Sequence, residues 1–173
     1  LRNIRASAHH LNHLIGDVLD LTSSQAGQLR LARAKLNLRD VLAEVIALGE
    51  AMAREKGVEW RSEVPVDLPF VWGDQTRLQQ VTLNLISNAV KFTKSGTISL
   101  WTDVGKDKLM VAVSDTGIGI PVEEQNIIFD EFFQSDRTID QGFGGKGLGL
   151  AISRRLIELH GGQIGVLSSG TSG

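Results

Sequence analysis

Leu83-Asn84-Leu85-Ile86-Ser87-Asn88-Ala89-Val90-Lys91-Phe92-Thr93 is the stretch on which the fold turns. It continues a helix opened by Gly73-Asp74, with Leu78, Val81, Leu85, Ile86 and Ala89 on one apolar face and Ser95-Gly96 as the break. Asn84, Asn88 and Lys91 fall at i, i+4 and i+7, so three polar groups stack on one side of an apolar-patterned element. A carboxamide oxygen can ligate Mg2+ and an ammonium can neutralise phosphate, so this face suits a phosphate and its metal. An exposed polar stripe on an amphipathic helix has the same spacing.

Outward from this helix, strands are expected over 97–104 and 108–114, joined by Gly105-Lys106-Asp107 as a hairpin. Upstream, Leu36-Asn37-Leu38 reads as a short strand. Asp40 reads as the cap of a helix that carries Val41, Val45, Ile46 and Leu48 and runs to Lys56, with Gly57 as its stop. Residues 58–64 alternate as a strand, and Pro65 and Pro69 bracket a turn. Downstream, a helix is expected over 148–160 and a last strand over 163–167, with 168–173 frayed. This irregular alternation around an antiparallel hairpin predicts an α+β protein, a two-layer α/β sandwich with a mixed sheet.

Residues 1–24 follow a different pattern. Ile4, Leu11 and Val18 recur every seven residues, Ala8 and Ile15 fill the offset of four, and Leu14 and Leu21 widen the stripe. That predicts a rod of roughly 36 Å, ended near Gly27, with a seam for a helical bundle or for its own domain. The domain division expected is 1–31 and 32–173.

The whole chain of 173 residues suits one compact domain plus an appendage. It has no cysteine, which excludes a disulfide scaffold and thiolate metal clusters. A net charge of −2 argues against nucleic acid as the main ligand. No apolar run approaches the roughly 20 residues of a membrane span, so no membrane contact by this fragment is expected. The chain opens on Leu1 and reads as a piece of something longer.

Two further motifs carry chemistry. Asp115-Thr116-Gly117-Ile118-Gly119-Ile120 follows a strand directly. A carboxylate there can accept from an exocyclic amine, as an adenine reader would, while glycine lets backbone approach a flat ligand. A plain strand-ending turn reads the same way. The second motif, Gly142-Phe143-Gly144-Gly145-Lys146-Gly147-Leu148-Gly149-Leu150, opens a helix, where free N–H groups favour anions. It contains a G-x-G-x-x-G spacing, but no buried strand leads into it and no ribose-binding acid follows. Lys146 is followed by Gly, so a Walker loop is excluded as well.

In order along the chain, these segments resemble the ATP-binding catalytic domain of sensor histidine kinases, within the group that includes gyrase, heat-shock chaperone and mismatch-repair ATPases. The asparagine helix resembles that family's N box and Asp115–Ile120 its first glycine box. Phe129-Asp130-Glu131-Phe132-Phe133 resembles its F box, and Gly144–Leu150 its second glycine box. The resemblance runs over about 36–167 and implies a Bergerat-type fold, a mixed sheet covered by helices, binding ATP and Mg2+. It implies that Asp115 binds the adenine amine, Asn88 ligates the metal, and Asn84 and Lys91 meet phosphates. Gly117, Gly119, Gly147 and Gly149 would supply close-approach backbone, with Phe92, Ile120, Lys146 and Leu148 also at the nucleotide. Residues from about 119 to 147 would form a mobile lid, pinned by Phe129 and Phe132.

At the front, residues 1–25 resemble the second helix of the family's dimerisation hairpin. The phosphoacceptor box of its first helix is absent, so His9, His10 and His13 are expected to be ordinary helix residues. His160 is expected to be a helix-end residue interacting with the dipole. Lys146 stands where the family more often has a small hydroxyl residue.

The resemblance implies a protein-histidine kinase of a two-component system, cytoplasmic, from a parent open to membrane anchoring. Expected partners are ATP, the acceptor-histidine helix, a response-regulator receiver domain and a second copy in a homodimer. Two other functions compete. One is an ATP hydrolase, whose members place a Glu general base where Asn84 sits. The other is a nucleotide-sensing or dimerisation module without catalysis.

Overall fold

Strand β1 (Ala34–Asn37) runs without a loop into helix α1 (Leu38–Lys56). The computed structural model describes residues 29–106, 108–135 and 146–170. The expected front helix with His9, His10 and His13, the stop at Gly27, Asp107 and lid residues 136–145 lie outside them. The cap of α1 is Asn37, whose side chain accepts from the Arg39 N–H at 3.1 Å. Asp40 was expected there and instead sits in the first turn. The chain leaves β1 in extended geometry at Asn37, which is the backbone a cap requires, so the helix starts before Asp40 is reached. Gly57 ends α1 at φ +78°, its N–H reaching the Ala53 and Arg54 carbonyls.

Strand β2 (Glu59–Glu63) and strand β3 (Phe70–Gly73) flank the turn between Pro65 and Pro69. Asp74 caps helix α2 (Gln75–Phe92), accepting from the Arg77 N–H at 3.1 Å. Strands β4 (Thr97–Val104) and β5 (Leu109–Asp115) form the expected hairpin, closed by the Gly105 N–H on the Lys108 carbonyl. Helix α3 (Gly149–Leu159) completes the elements among the described residues.

The strands form a mixed three-stranded sheet, β2-β4-β5, and a separate antiparallel ribbon of β1 and β3. β2 runs parallel to β4, with Trp60 opposite Ile98, and β5 antiparallel to it, with Ala112 opposite Trp101. Ile98 and Leu100 lie two apart on β4, share its inner face, and pack with Val45 and Ala53 of α1 and Ile86, Ala89 and Val90 of α2. A second cluster gathers Leu38, Val41 and Leu42 of α1 with Leu68. A third joins Val81 of α2 to Leu148, Ile152 and Leu156 beside and within α3. The two layers expected from the sequence are therefore present, helices on one side and sheet on the other.

Residues 163–167 form no strand. Their segment is held by side chains instead of a ladder: Ser168 Oγ accepts from the Ile120 N–H at 3.0 Å, and Gln125 Nε2 donates to the Ser168 carbonyl at 3.0 Å. Ile164 packs on the third cluster.

Candidate functional site

The polar face of α2 is half-buried at Asn84, Asn88 and Lys91. Asn84 is braced from the neighbouring helix: its Nδ2 donates to Ser153 Oγ at 3.0 Å, and Ser153 is buried. A Cβ at Gly149 would stand 2.5 Å from Asn84 Oδ1, so glycine lets α3 start here without displacing the Asn84 side chain. Among the described residues no side chain caps α3 at Leu148, which leaves its first amides to another acceptor.

Asn88 lies one turn beyond Asn84. Lys91 follows, its Nζ 4.8 Å from the Phe92 ring centroid. Burial holds the Lys91 ammonium below the ordinary lysine pKa, because water that would solvate the charge is displaced. The C-terminus of α2 is tied by Lys56, whose Nζ donates to the Val90 carbonyl and, at 2.7 Å, to that of Lys91.

Asp115 closes β5 beside this helix end. Its Oδ1 accepts from the Gly117 N–H at 2.8 Å and from Thr93 Oγ1 at 3.3 Å. Thr93 is fully buried and its own N–H bonds the Ala89 carbonyl, so α2 and β5 are locked together where the carboxylate emerges. Both bonds fall on Oδ1, leaving Oδ2 with acceptor capacity among the described residues. A Cβ at Gly117 would meet the Phe92 carbonyl at 2.6 Å and Asp115 Oδ1 at 2.7 Å, so this turn is folded onto the helix end through glycine alone. Gly119 has φ +67° and faces the Gly170 carbonyl.

The F-box segment docks on α3. Phe129 is buried with the Arg154 guanidinium 5.6 Å from its ring centroid, and Arg154 pairs with Asp130 at 3.0 Å. Phe132, the other residue expected to pin the lid, leaves its side chain 64% exposed. Its backbone makes the contact, donating to the Gly147 carbonyl at 2.9 Å from a φ of +64°. Gly147 itself has φ +68°, and a Cβ there would meet the Phe133 carbonyl oxygen at 2.5 Å.

Residues 73–173 match the family described as histidine kinase-, DNA gyrase B-, and HSP90-like ATPases. The chain belongs to this ATPase family. It is 40% identical to the sensor protein GacS of Pseudomonas syringae pv. syringae over 98% of its own length and 19% of that protein's. It therefore spans about a fifth of that curated relative. Among solved structures it is similar to full-length ShkA in complex with AMPPNP, with TM-score 0.83 and 35% identity over 96% of this chain and 35% of the other. It is also similar to histidine kinase ThkA in complex with the response regulator protein TrrA, with TM-score 0.67 and 28% identity over 90% of this chain and 44% of the other.

Within this ATPase domain the fold brings two sets of the residues singled out from the sequence into contact. Asn84 meets Gly149, and Phe92 and Asp115 meet Gly117. Lys146 is exposed. The Leu148 side chain is buried in the third cluster, and the Ile120 N–H and carbonyl are taken by Ser168 and Gln125. Two positioning groups were not legible as such. Ser153 is one polar residue on an apolar helix face, and Thr93 stands in the quoted stretch without a spacing that names its partner. His160 stands at the C-terminal end of α3, as expected, and also reaches the start of α2. Its Nε2 accepts from the Asp74 N–H at 2.9 Å while Nδ1 lies 2.7 Å from the Leu156 carbonyl.

Proposed function

We propose that this chain is the nucleotide-binding catalytic part of a sensor histidine kinase, holding ATP with Mg2+ and delivering the γ-phosphoryl group to a histidine on another helix. The observation that carries this reading is Asn84, a carboxamide packed on Gly149 and bonded to Ser153. A carboxamide takes no proton from water, so hydrolysis lacks a general base at that place. A neutral imidazole needs none, because its ring nitrogen carries the lone pair that attacks phosphorus.

Each proposed role follows from chemistry already described. Asp115 Oδ2 accepts from the adenine 6-amino group, and a guanine carbonyl at that place would meet a carboxylate with no donor. Gly117 lets the base lie against backbone. Lys91, partly shielded from water, gains from phosphate charge, and the first amides of α3 receive phosphate oxygens. Gly147, Leu148 and Gly149 contribute backbone there, and Lys146 is an exposed cation beside them.

Among the described residues no group of three His, Cys, Asp or Glu side chains could cage a metal. Mg2+ asks for little from protein, since it keeps waters and takes phosphate oxygens, so a single amide oxygen from Asn88 fits it. When bound, the ion neutralises phosphate charge and orients the transferring group.

The parent reading includes residues 1–31 as part of a dimerisation hairpin in a homodimer, 32–173 as the ATP domain, and a receiver domain as downstream partner. Similarity to ThkA, solved with its response regulator, supports the last. A cytoplasmic place follows from the need for ATP. No helix among the described residues is long and apolar enough to cross a membrane.

Calorimetry with Mg-ATP and Mg-GTP tests the site. ATP is expected to bind selectively, and Asp115→Asn to weaken it by about 1–3 kcal/mol, the usual worth of a hydrogen bond to a charged group. Equal affinity for both nucleotides would overturn the assignment of Asp115. Incubation with γ-labelled ATP tests the chemistry. Acid-labile label is expected on an added acceptor helix and not on His9, His10 or His13 of this chain.

A further inference from the structure

Residues 29–33 lie across the ends of α2 and α3 away from Asp115. Leu29 and Leu31 pack on the cluster of Val81, Leu148, Ile152 and Leu156. The Ala32 N–H donates to Asp74 Oδ2 at 2.8 Å, and Arg33 Nη2 donates to the Leu159 carbonyl. Asp74 is buried and divides its carboxylate between two tasks: Oδ1 caps α2 through the Arg77 N–H, while Oδ2 holds the Ala32 amide. The Asp74 backbone N–H is bonded to His160 at the end of α3. Gly73 makes this approach possible, since a Cβ there would stand 3.2 Å from His160 Cδ2.

Leu148 belongs to the cluster on which the two leucines sit, and it lies between Gly147 and Gly149. The same helix that receives the segment at its C-terminal end therefore carries Asn84's two contacts, Gly149 and Ser153, at its N-terminal end. We infer that residues 29–33, seated by Asp74, are a positioning strap for the Gly147-Leu148-Gly149 backbone, so that seating the strap and binding nucleotide strengthen each other. This rests on the nucleotide reading above. By linkage the coupling is reciprocal, and couplings of this kind are typically about 5- to 150-fold.

The test uses the whole chain and two variants. Asp74→Ser keeps a good helix cap but is too short to hold the Ala32 amide. Leu31→Ala thins the apolar seat without touching the cap. Both are expected to raise the Kd for Mg-AMPPNP at least about fivefold. In the parent chain, saturating nucleotide is expected to slow hydrogen exchange at the Ala32 amide by a similar factor. Asn37→Ala, which removes the cap of α1 instead, is expected to lower thermal stability and leave the Kd unchanged. That separates positioning from general loosening. If the parent chain binds nucleotide, a Kd within twofold in Leu31→Ala, or Ala32 exchange indifferent to nucleotide, overturns the inference. Failure of the parent chain to bind nucleotide instead overturns the reading of the site.

Discussion

Lys91 is a cation kept partly from water on the face where phosphate charge is proposed to sit. Its folded pKa lies below its unfolded one, so between the two values the unfolded chain holds more protons and stability rises with pH. Nucleotide affinity has the opposite slope. It is fully present below the lowered pKa of the free site, where Lys91 is charged, and is lost as pH rises through that value. Titrations from about pH 7 to pH 10 should show ATP affinity falling at the alkaline end, below the ordinary lysine pKa of roughly 10.4. Lys91→Arg should flatten that limb, because guanidinium stays charged. An unchanged alkaline limb in the arginine variant would place the titrating group elsewhere. The sequence made Asn84, Asn88 and Lys91 visible because a helix repeats its face by arithmetic. Ser153 and Thr93 escaped because their importance comes from what crosses to meet them.

At the scale of an element, α3 begins with two glycines that do different work. Gly149 faces the end of the Asn84 side chain, a group that can swing away. Gly149→Ala should therefore fold normally, with helix propensity returning up to about 1 kcal/mol. Asn84 is displaced in the process, and ATP binding should fall. Gly147 faces the backbone of Phe132 and Phe133 from a φ of +68°. Gly147→Ala meets a wall that cannot swing and a conformation that L residues avoid, so it should lower stability by about 1–3 kcal/mol as well as binding. Thermal unfolding beside calorimetry distinguishes the two, and equal melting temperatures for both variants would contradict the geometry.

Across the whole molecule, the helix and sheet layers meet where Gly49 of α1 lies against Trp60 of β2 and Ile86 of α2. A Cβ at Gly49 would stand 2.6 Å from Trp60 Cη2. Overpacking at such a junction costs about 1–3 kcal/mol, against about 1 kcal/mol of helix propensity regained. Gly49→Ala should thus lower stability by about 1 kcal/mol and leave ATP affinity alone, since the site lies at the far side of α2. Reduced binding at a temperature where the variant is fully folded would show that the layers are coupled to the site.

Local patterns determined the helices, the hairpin and the order of the motifs. The apolar spacing of α2, the stop at Gly57 and the turn at Gly105 each depend on residues within a few positions, and such interactions operate before the chain has folded. Tertiary structure decided what those patterns left open. Residues 163–167 alternate like a strand, but a strand exists only where a partner offers a ladder, and here Ser168 bonds to Ile120 and Gln125 by way of side chain and carbonyl. Asn37 displaced Asp40 as cap because the end of β1, paired with β3, set the backbone at that residue. His160 became an acceptor for Asp74 across 86 residues of sequence because packing of α3 on α2 brought their ends together. Contacts of that separation leave no period in the chain, so they are written only in the packed structure.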